Sequence, residues 1–95
     1  MQRLSDEVVR NALQSLPRWS GDGRAIAATF GFDTYEAGVA FAIQIALLAQ
    51  RMDHHPELCI GWRRVTVTYT THDADGVTSR DIAAVNAVDA IAPKD

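Results

Sequence analysis

Hydrophobic and polar residues change period several times along the chain, and each change marks an element. Ser5 followed by Asp6 and Glu7 is a helix N-cap with acids at the positive end of the helix, and Val8, Val9, Ala12, Leu13 and Leu16 then recur on one helical face. Pro17 closes this first helix. Trp19 begins a short extended piece and Gly21-Asp22-Gly23 supplies a turn. From Arg24 onward Ile26, Ala28, Phe30 and Phe32 alternate with Ala25, Ala27, Thr29 and Gly31, the period of a strand with one face on a core, so these pieces predict a hairpin. Asp33 and Glu36 have the spacing of a capping box, and the segment running from there to Pro56 predicts the main helix. Phe41, Ile45, Leu48 and Met52 form its apolar stripe, Ala37, Ala40 and Ala49 suit close approach to a sheet, and Gly38 weakens it by about 1 kcal/mol relative to Ala.

Extended character returns at Leu58 to Ile60, breaks at Gly61 and resumes from Arg63 to Thr71. Val65, Val67 and Tyr69 point one way, Thr66, Thr68 and Thr70 the other, and His72 shares the parity of the threonines. Residues 73–76 make a turn. Thr78 and Asp81 then form a second capping-box pair, opening a last helix with Ile82, Val85 and Val88 or Asp89 on one side. The predicted order is α-β-β-α-β-β-α. It implies an α+β fold in one domain, 1–95, with a four-stranded antiparallel sheet and three helices packed on one face.

Composition narrows what such a domain can do. Ninety-five residues allow one core, and a chain this size buries only about 60% of its unfolded surface, so self-association would help it. Nine basic residues against twelve acidic ones give a net charge of −3, with no basic run to displace counterions, which argues against direct nucleic-acid binding. The most apolar stretch, Gly38 to Ala49, is interrupted by Gln44 and falls short of the roughly 20 residues a membrane helix needs. Cys59 has no partner for a disulfide and Met1–Val9 is too polar for a signal peptide, both of which point to a reducing, cytoplasmic setting.

All three histidines lie between His54 and His72. In Asp53-His54-His55-Pro56 the adjacent rings must point to different places, and Pro56 holds His55 to extended angles. Two imidazoles near one substrate supply a proton donor and an acceptor at neutral pH, which suits elimination or hydration. The bland alternative is surface histidines with ordinary hydrogen bonds. Zinc is disfavoured, because adjacent histidines are poorly spaced ligands and Cys59 lacks a companion. No nucleophile motif supports serine or cysteine chemistry, and Gly21-x-Gly23 is no phosphate loop. Asp81 reads either as a site residue or, from its capping-box position, as a helix cap, and the cap is the favoured reading. Trp19 and Trp62 are expected to be core or interface anchors, and Cys59 a small buried hydrophobe.

His54-His55-Pro56, followed at fixed spacing by Trp62, His72 and Asp81, resembles the pterin-4a-carbinolamine dehydratase family. Trp19, Gly23-Arg24-Ala25-Ile26, Phe30-Gly31-Phe32, Phe41 and Ser79-Arg80-Asp81-Ile82 extend the likeness over nearly the whole chain. The resemblance implies dehydration of 4a-hydroxytetrahydropterin to quinonoid dihydropterin without metal or cofactor, in the recycling of tetrahydrobiopterin. It implies that His54, His55 and His72 line the pterin pocket, with Asp53, Thr70, Thr71 and Asp73 as further substrate contacts. Proton transfer is expected of His54 and His72, orientation of the ring of His55, and pairing with the ring's amide edge of the hydroxyls and backbone around Thr70 and Thr71. The family pattern usually has an ionisable residue four before the first histidine; Gln50 stands there, one helical turn from His54, so reduced activity is expected. An edge strand from the first hairpin or from Leu58 to Ile60 is placed to pair across a two-fold axis, so a homo-oligomer, dimer or tetramer, is expected. The resemblance also carries an alternative, since some dehydratase-like proteins are non-catalytic binding modules serving as dimerisation cofactors, transcriptional coactivators or assembly factors.

Overall fold

In the computed structural model, which describes residues 2–94, alternation along the strands sets the architecture. Met1 and Asp95, the two ends of the expected 1–95 domain, lie outside the described residues. The strands β1 (Ser20–Gly21), β2 (Ile26–Gly31), β3 (Glu57–Gly61) and β4 (Arg64–Tyr69) form one antiparallel sheet in the order β1-β2-β4-β3. Ile26, Ala28 and Phe30 pair with Tyr69, Val67 and Val65, and all six are buried. On the other face Thr29 and Thr66 bond hydroxyl to hydroxyl at 3.0 Å. Helices α1 (Asp6–Leu13), α2 (Tyr35–Met52) and α3 (Ser79–Ile91) bury Val9, Leu13, Phe41, Ala42, Ile45, Ala84, Val85 and Val88 in the same core as the inward strand residues. The chain therefore has the predicted α+β fold and element order. Among the described residues no helix is long and apolar enough to cross a membrane.

The local departures have identifiable causes. Ser5 caps α1 as expected, its hydroxyl accepting from the Val8 N–H, but the helix ends at Leu13, before Pro17 is reached. Val8 is exposed, so Val9, Leu13 and Leu16 form the buried face. The cap of α2 is Thr34, whose Oγ1 accepts from the Ala37 N–H at 3.1 Å, and not Asp33. The Phe32 N–H is still bonded to the Arg63 carbonyl beside the sheet, which leaves Asp33 in the connection. Helix α2 approaches through Gly38, Phe41, Ala42, Ile45 and Ala49, whereas Ala37 and Ala40 are exposed. Gly38 marks the close approach: a Cβ there would lie 3.4 Å from the Phe32 ring and 3.5 Å from Val65.

Trp19 is a core residue, edge-on to Phe30 with ring centroids 6.0 Å apart, and its Nε1–H donates to Asp89 at 2.8 Å. Trp62 lies at the tip of the β3–β4 hairpin, 70% exposed and stacked on Tyr35. Cys59 is exposed, contrary to the expectation of a buried thiol, because it faces outward from the edge strand opposite Thr66. The last strand is shorter than predicted. Arg63 takes a left-handed turn conformation at one end (φ 58°), and at the other Thr71 keeps only an isolated bridge to Gly76.

Space at Gly38 is adequate for one carbon, so Gly38→Ala should raise stability by about 0.5–1 kcal/mol through helix propensity. Gly38→Leu should lower it by forcing α2 off Phe32 and Val65. Urea midpoints of the two variants against the parent check both signs.

Candidate histidine site

Helix α2 stops in a way that aims the paired histidines. Asp53 sits in the left-handed conformation (φ 52°, ψ 41°), its N–H bonded to the Gln50 carbonyl, while the His54 N–H reaches back to Ala49 at 3.1 Å. This is a Schellman cap with aspartate where glycine is usual. Its reversal sends His54 into the protein, where it is buried, and leaves His55 outside. The His55 Nε2–H donates to Gln50 Oε1 at 2.9 Å. Gln50 thus serves His55, and not His54 as its position one turn away had suggested, because the cap carries His54 off the helical path.

The hairpin then brings the second half of the site alongside. Glu57 pairs with Thr68. From that pair one arm runs back to His55, His54 and Asp53 and the other on to Thr70, Thr71 and His72, so both triplets leave the same end of the hairpin. Thr71 continues the inward parity of Val65, Val67 and Tyr69 and is buried; Thr70 and His72 have the outward parity, and His72 is exposed.

Asp81 joins these pieces. It is fully buried, and it closes the capping box of α3 by accepting the Thr78 N–H on Oδ2 at 2.8 Å. The same Oδ2 accepts the Thr71 hydroxyl at 2.7 Å, and Oδ1 meets His54 Nε2 at 2.6 Å. Thr78 donates its own hydroxyl to Thr71 at 2.9 Å. The two readings of Asp81 are therefore compatible, since one carboxylate caps a helix and grips a histidine. A carboxylate oxygen accepts, so in this contact the His54 Nε2–H is the donor. The imidazole lies against the Tyr69 ring, with centroids 5.5 Å apart and 23° between planes. Burial pushes the Tyr69 phenol up to about 12, and the charge of Asp81 acts in the same direction, so the phenol is neutral at physiological pH. Its hydroxyl is buried with no hydrogen-bond partner among the described residues.

A shallow cavity of about 250 Å³ opens over this cluster, lined by Asp53, His54, His55, Thr70, Thr71, His72, Asp73 and Arg80. Seven of these are the sequence-selected substrate contacts; Gln50 and Asp81 lie outside the lining and hold His55 and His54, Asp81 from the interior and Gln50 from the exposed side. Arg80 is the addition. Its guanidinium donates to the Asp53 carbonyl, tying α3 to the end of α2, and its place just after the Thr78 cap and before Asp81 was the available signal. The threonine hydroxyls are committed within the protein, Thr71 to Asp81 and Thr70 to the Arg24 carbonyl at 2.7 Å, so neither has a proton left to offer a ligand. Among the described residues no three His, Cys, Asp or Glu side chains are grouped to hold a metal ion.

The sequence profile described as "Pterin 4 alpha carbinolamine dehydratase" matches residues 2–91. The chain belongs to this dehydratase family. A protein of Rhizorhabdus wittichii named "Putative pterin-4-alpha-carbinolamine dehydratase" is 44% identical over 97% of both chains. A Rhodopseudomonas palustris protein of the same name is 47% identical over 97% of this chain and 93% of its own. Among solved structures, a transcriptional coactivator/pterin dehydratase from Brucella melitensis superposes with TM-score 0.87 at 39% identity, covering 97% of this chain and all of that one. A pterin dehydratase-like RuBisCO assembly factor of the alpha-carboxysome shares the fold, with TM-score 0.65 at 24% identity over 82% of this chain and 90% of that one.

In this dehydratase-family chain the raised phenol gives an alkaline signature. An unfolded Tyr titrates near 10, so the stability tied to the Tyr69 proton is present below pH 10 and is lost as pH rises from about 10 to about 12. Tyr69→Phe removes an unsatisfied hydroxyl and should stabilise the fold by about 1 kcal/mol or more while flattening that loss. Chemical denaturation at pH 7 and pH 10.5 measures both effects.

Proposed function

We propose that the chain dehydrates 4a-hydroxytetrahydropterin to quinonoid dihydropterin by histidine acid–base catalysis, in tetrahydrobiopterin recycling. The observation that carries this reading is the buried Asp81–His54 contact at the wall of a cavity that His72 also lines. In the reaction the C4a–O bond breaks, the hydroxyl leaves as water after gaining a proton, the N5 proton is removed and the C4a–N5 double bond forms. His54 is assigned to the departing hydroxyl: with Nε2–H on Asp81 it has a counter-charge for the doubly protonated ring and delivers the proton from Nδ1. His72 is assigned to the N5 proton, which its exposed ring passes on to water. Positioned groups of this kind contribute roughly 10²–10⁴-fold.

The remaining contacts follow from the donors and acceptors left over. The 2-amino group and N3–H of a pterin are donors, which suits the carboxylates of Asp53 and Asp73, and His55, steadied by Gln50, orients the ring. Thr71 acts through Asp81, and Thr70 contributes its backbone and the shape of the wall. The reading calls for no metal or cofactor, and for a reducing, cytoplasmic setting that suits the exposed Cys59 thiol.

Self-association through the edge strand β3 belongs to the same reading. The other edge, β1, has only two residues, whereas β3 has five and carries exposed Ile60 beside exposed Trp62, a surface that a second copy would cover. The alternative of a non-catalytic binding module has some support from the Brucella relative, which is described as a coactivator as well as a dehydratase.

His54→Ala and His72→Ala should each slow carbinolamine loss in a stopped-flow assay by at least tenfold while the far-UV spectrum stays that of the parent. Near-normal turnover in both would sink the assignment, and a parent rate equal to the uncatalysed background would favour the binding module. Gln50→Glu should raise turnover by placing a carboxylate on His55. Sedimentation of Ile60→Asp should show a smaller species than the parent; a monomeric parent at micromolar concentration would refute association at β3.

A further inference from the structure

Beside the histidine cavity lies a second, larger one of about 500 Å³, lined by Arg3, Arg24, Thr70, His72, Asp75 and Gly76. Thr70 and His72 line both, so the two volumes meet at the ring assigned to N5. The larger one has the size typical of a small-molecule site, which the histidine cavity alone does not.

Both arginines are held in place by their backbones. The Leu4 N–H bonds the Val77 carbonyl and the Val77 N–H bonds Gly23, which lays the segment carrying Arg3 beside Gly76. The Arg3 side chain crosses where a Cβ on Gly76 would come within 2.6 Å of its Cδ and Nε. The Arg24 carbonyl accepts the Thr70 hydroxyl, and its N–H donates to Asp22. Among the described residues neither guanidinium has an ion-pair or hydrogen-bond partner. Asp6 is bonded to the Gly23 N–H and Asp22 to the Arg24 N–H, and neither lines the cavity. Asp75 is the one carboxylate in the lining, against two guanidiniums, and a protonated His72 adds a third positive charge. In a chain of net charge −3, two uncommitted cations at the mouth of one site are a local reversal of sign.

We propose that Arg3 and Arg24 form an anion subsite, and that the substrate is a reduced pterin whose C6 substituent ends in a phosphate or a carboxylate. The inference rests on the pterin-dehydration reading above and departs from it at the side chain: tetrahydrobiopterin ends in an uncharged dihydroxypropyl group at C6, which gives the two guanidiniums no ligand charge to meet. C6 is bonded to N5, so a substituent there leaves the ring beside the group serving N5. His72 is that group, and beyond it lies the arginine-lined cavity. Arginine presents a planar fork of donors that matches either oxyanion.

Titration calorimetry of the full chain would compare a 7,8-dihydropterin with an uncharged trihydroxypropyl substituent at C6, its terminal monophosphate ester, and a dihydropterin whose C6 side chain ends in a carboxylate. At least one anionic compound should bind tenfold or more tightly than the neutral parent, and the better of the two identifies the oxyanion. The Arg3→Gln/Arg24→Gln double variant should lose that advantage while binding the neutral compound within twofold of the parent chain. Both positions are exposed, so the variant should keep the parent's thermal midpoint. Raising ionic strength should shrink the advantage in the parent alone. Equal affinity for charged and neutral compounds in the parent, or an advantage that survives the double substitution, would overturn the subsite. Failure of all three compounds to bind the folded parent would instead overturn the pterin reading, and this inference with it.

Discussion

A carboxylate with no access to solvent must receive from the protein the hydrogen bonds that water would have given it, and most of the site follows from how this is done at Asp81. Its donors come from three separate stretches of chain: the Thr78 backbone at the start of α3, the Thr71 hydroxyl past the end of β4, and the His54 ring past the end of α2. Losing any of them leaves a buried charge short of a partner, a penalty of about 1–3 kcal/mol or more. The helix cap and the histidine orientation are therefore one interaction. A folded chain in which α3 is capped and His54 is loose would have to break the same carboxylate's bonds.

The surrounding architecture supplies the reach that Asp81 needs. The left-handed Asp53 turns the backbone inward at the end of α2, the Tyr69 ring gives the imidazole a flat surface, and Arg80 binds the start of α3 to the end of α2. Tyr69 is the costly member of this group. Its aromatic body fills the core against Trp19 and His54, yet its hydroxyl finds no partner. Packing against the imidazole comes with one unsatisfied polar atom.

The sequence made the strands legible because Ile26, Ala28 and Phe30, and Val65, Val67 and Tyr69, alternate strictly, and the Thr78–Asp81 box was readable because both halves of that contact lie within one turn. Helix α2 was harder. Its buried face includes Gly38, which has no side chain to register in a hydrophobic pattern, and Thr34 took the cap because the chain stays bound to the sheet through Phe32. The residues around the cavity could be selected from their chemistry and family likeness, but not the bonds among them. That His54 rather than His55 would meet Asp81, and that Gln50 would go to His55, depends on a left-handed turn at an aspartate, a conformation that several residue types can adopt or avoid.

The β3–β4 hairpin holds the two halves of the site in step, since its register, from Gly61 opposite Arg64 to Glu57 opposite Thr68, fixes where one arm leads to His55 and His54 and the other to Thr70 and Thr71. What the chain must preserve between His55 and Thr70 is thus a count more than a composition. Exchanging the side chains at Trp62 and Arg63, at the exposed tip, leaves the tally of residues on each arm untouched. Inserting one residue on a single arm would turn every later side chain to the opposite face and carry Thr71 away from Asp81, whereas one added to each arm keeps the arms level. The hairpin works as a ruler whose setting is the number of residues on its arms.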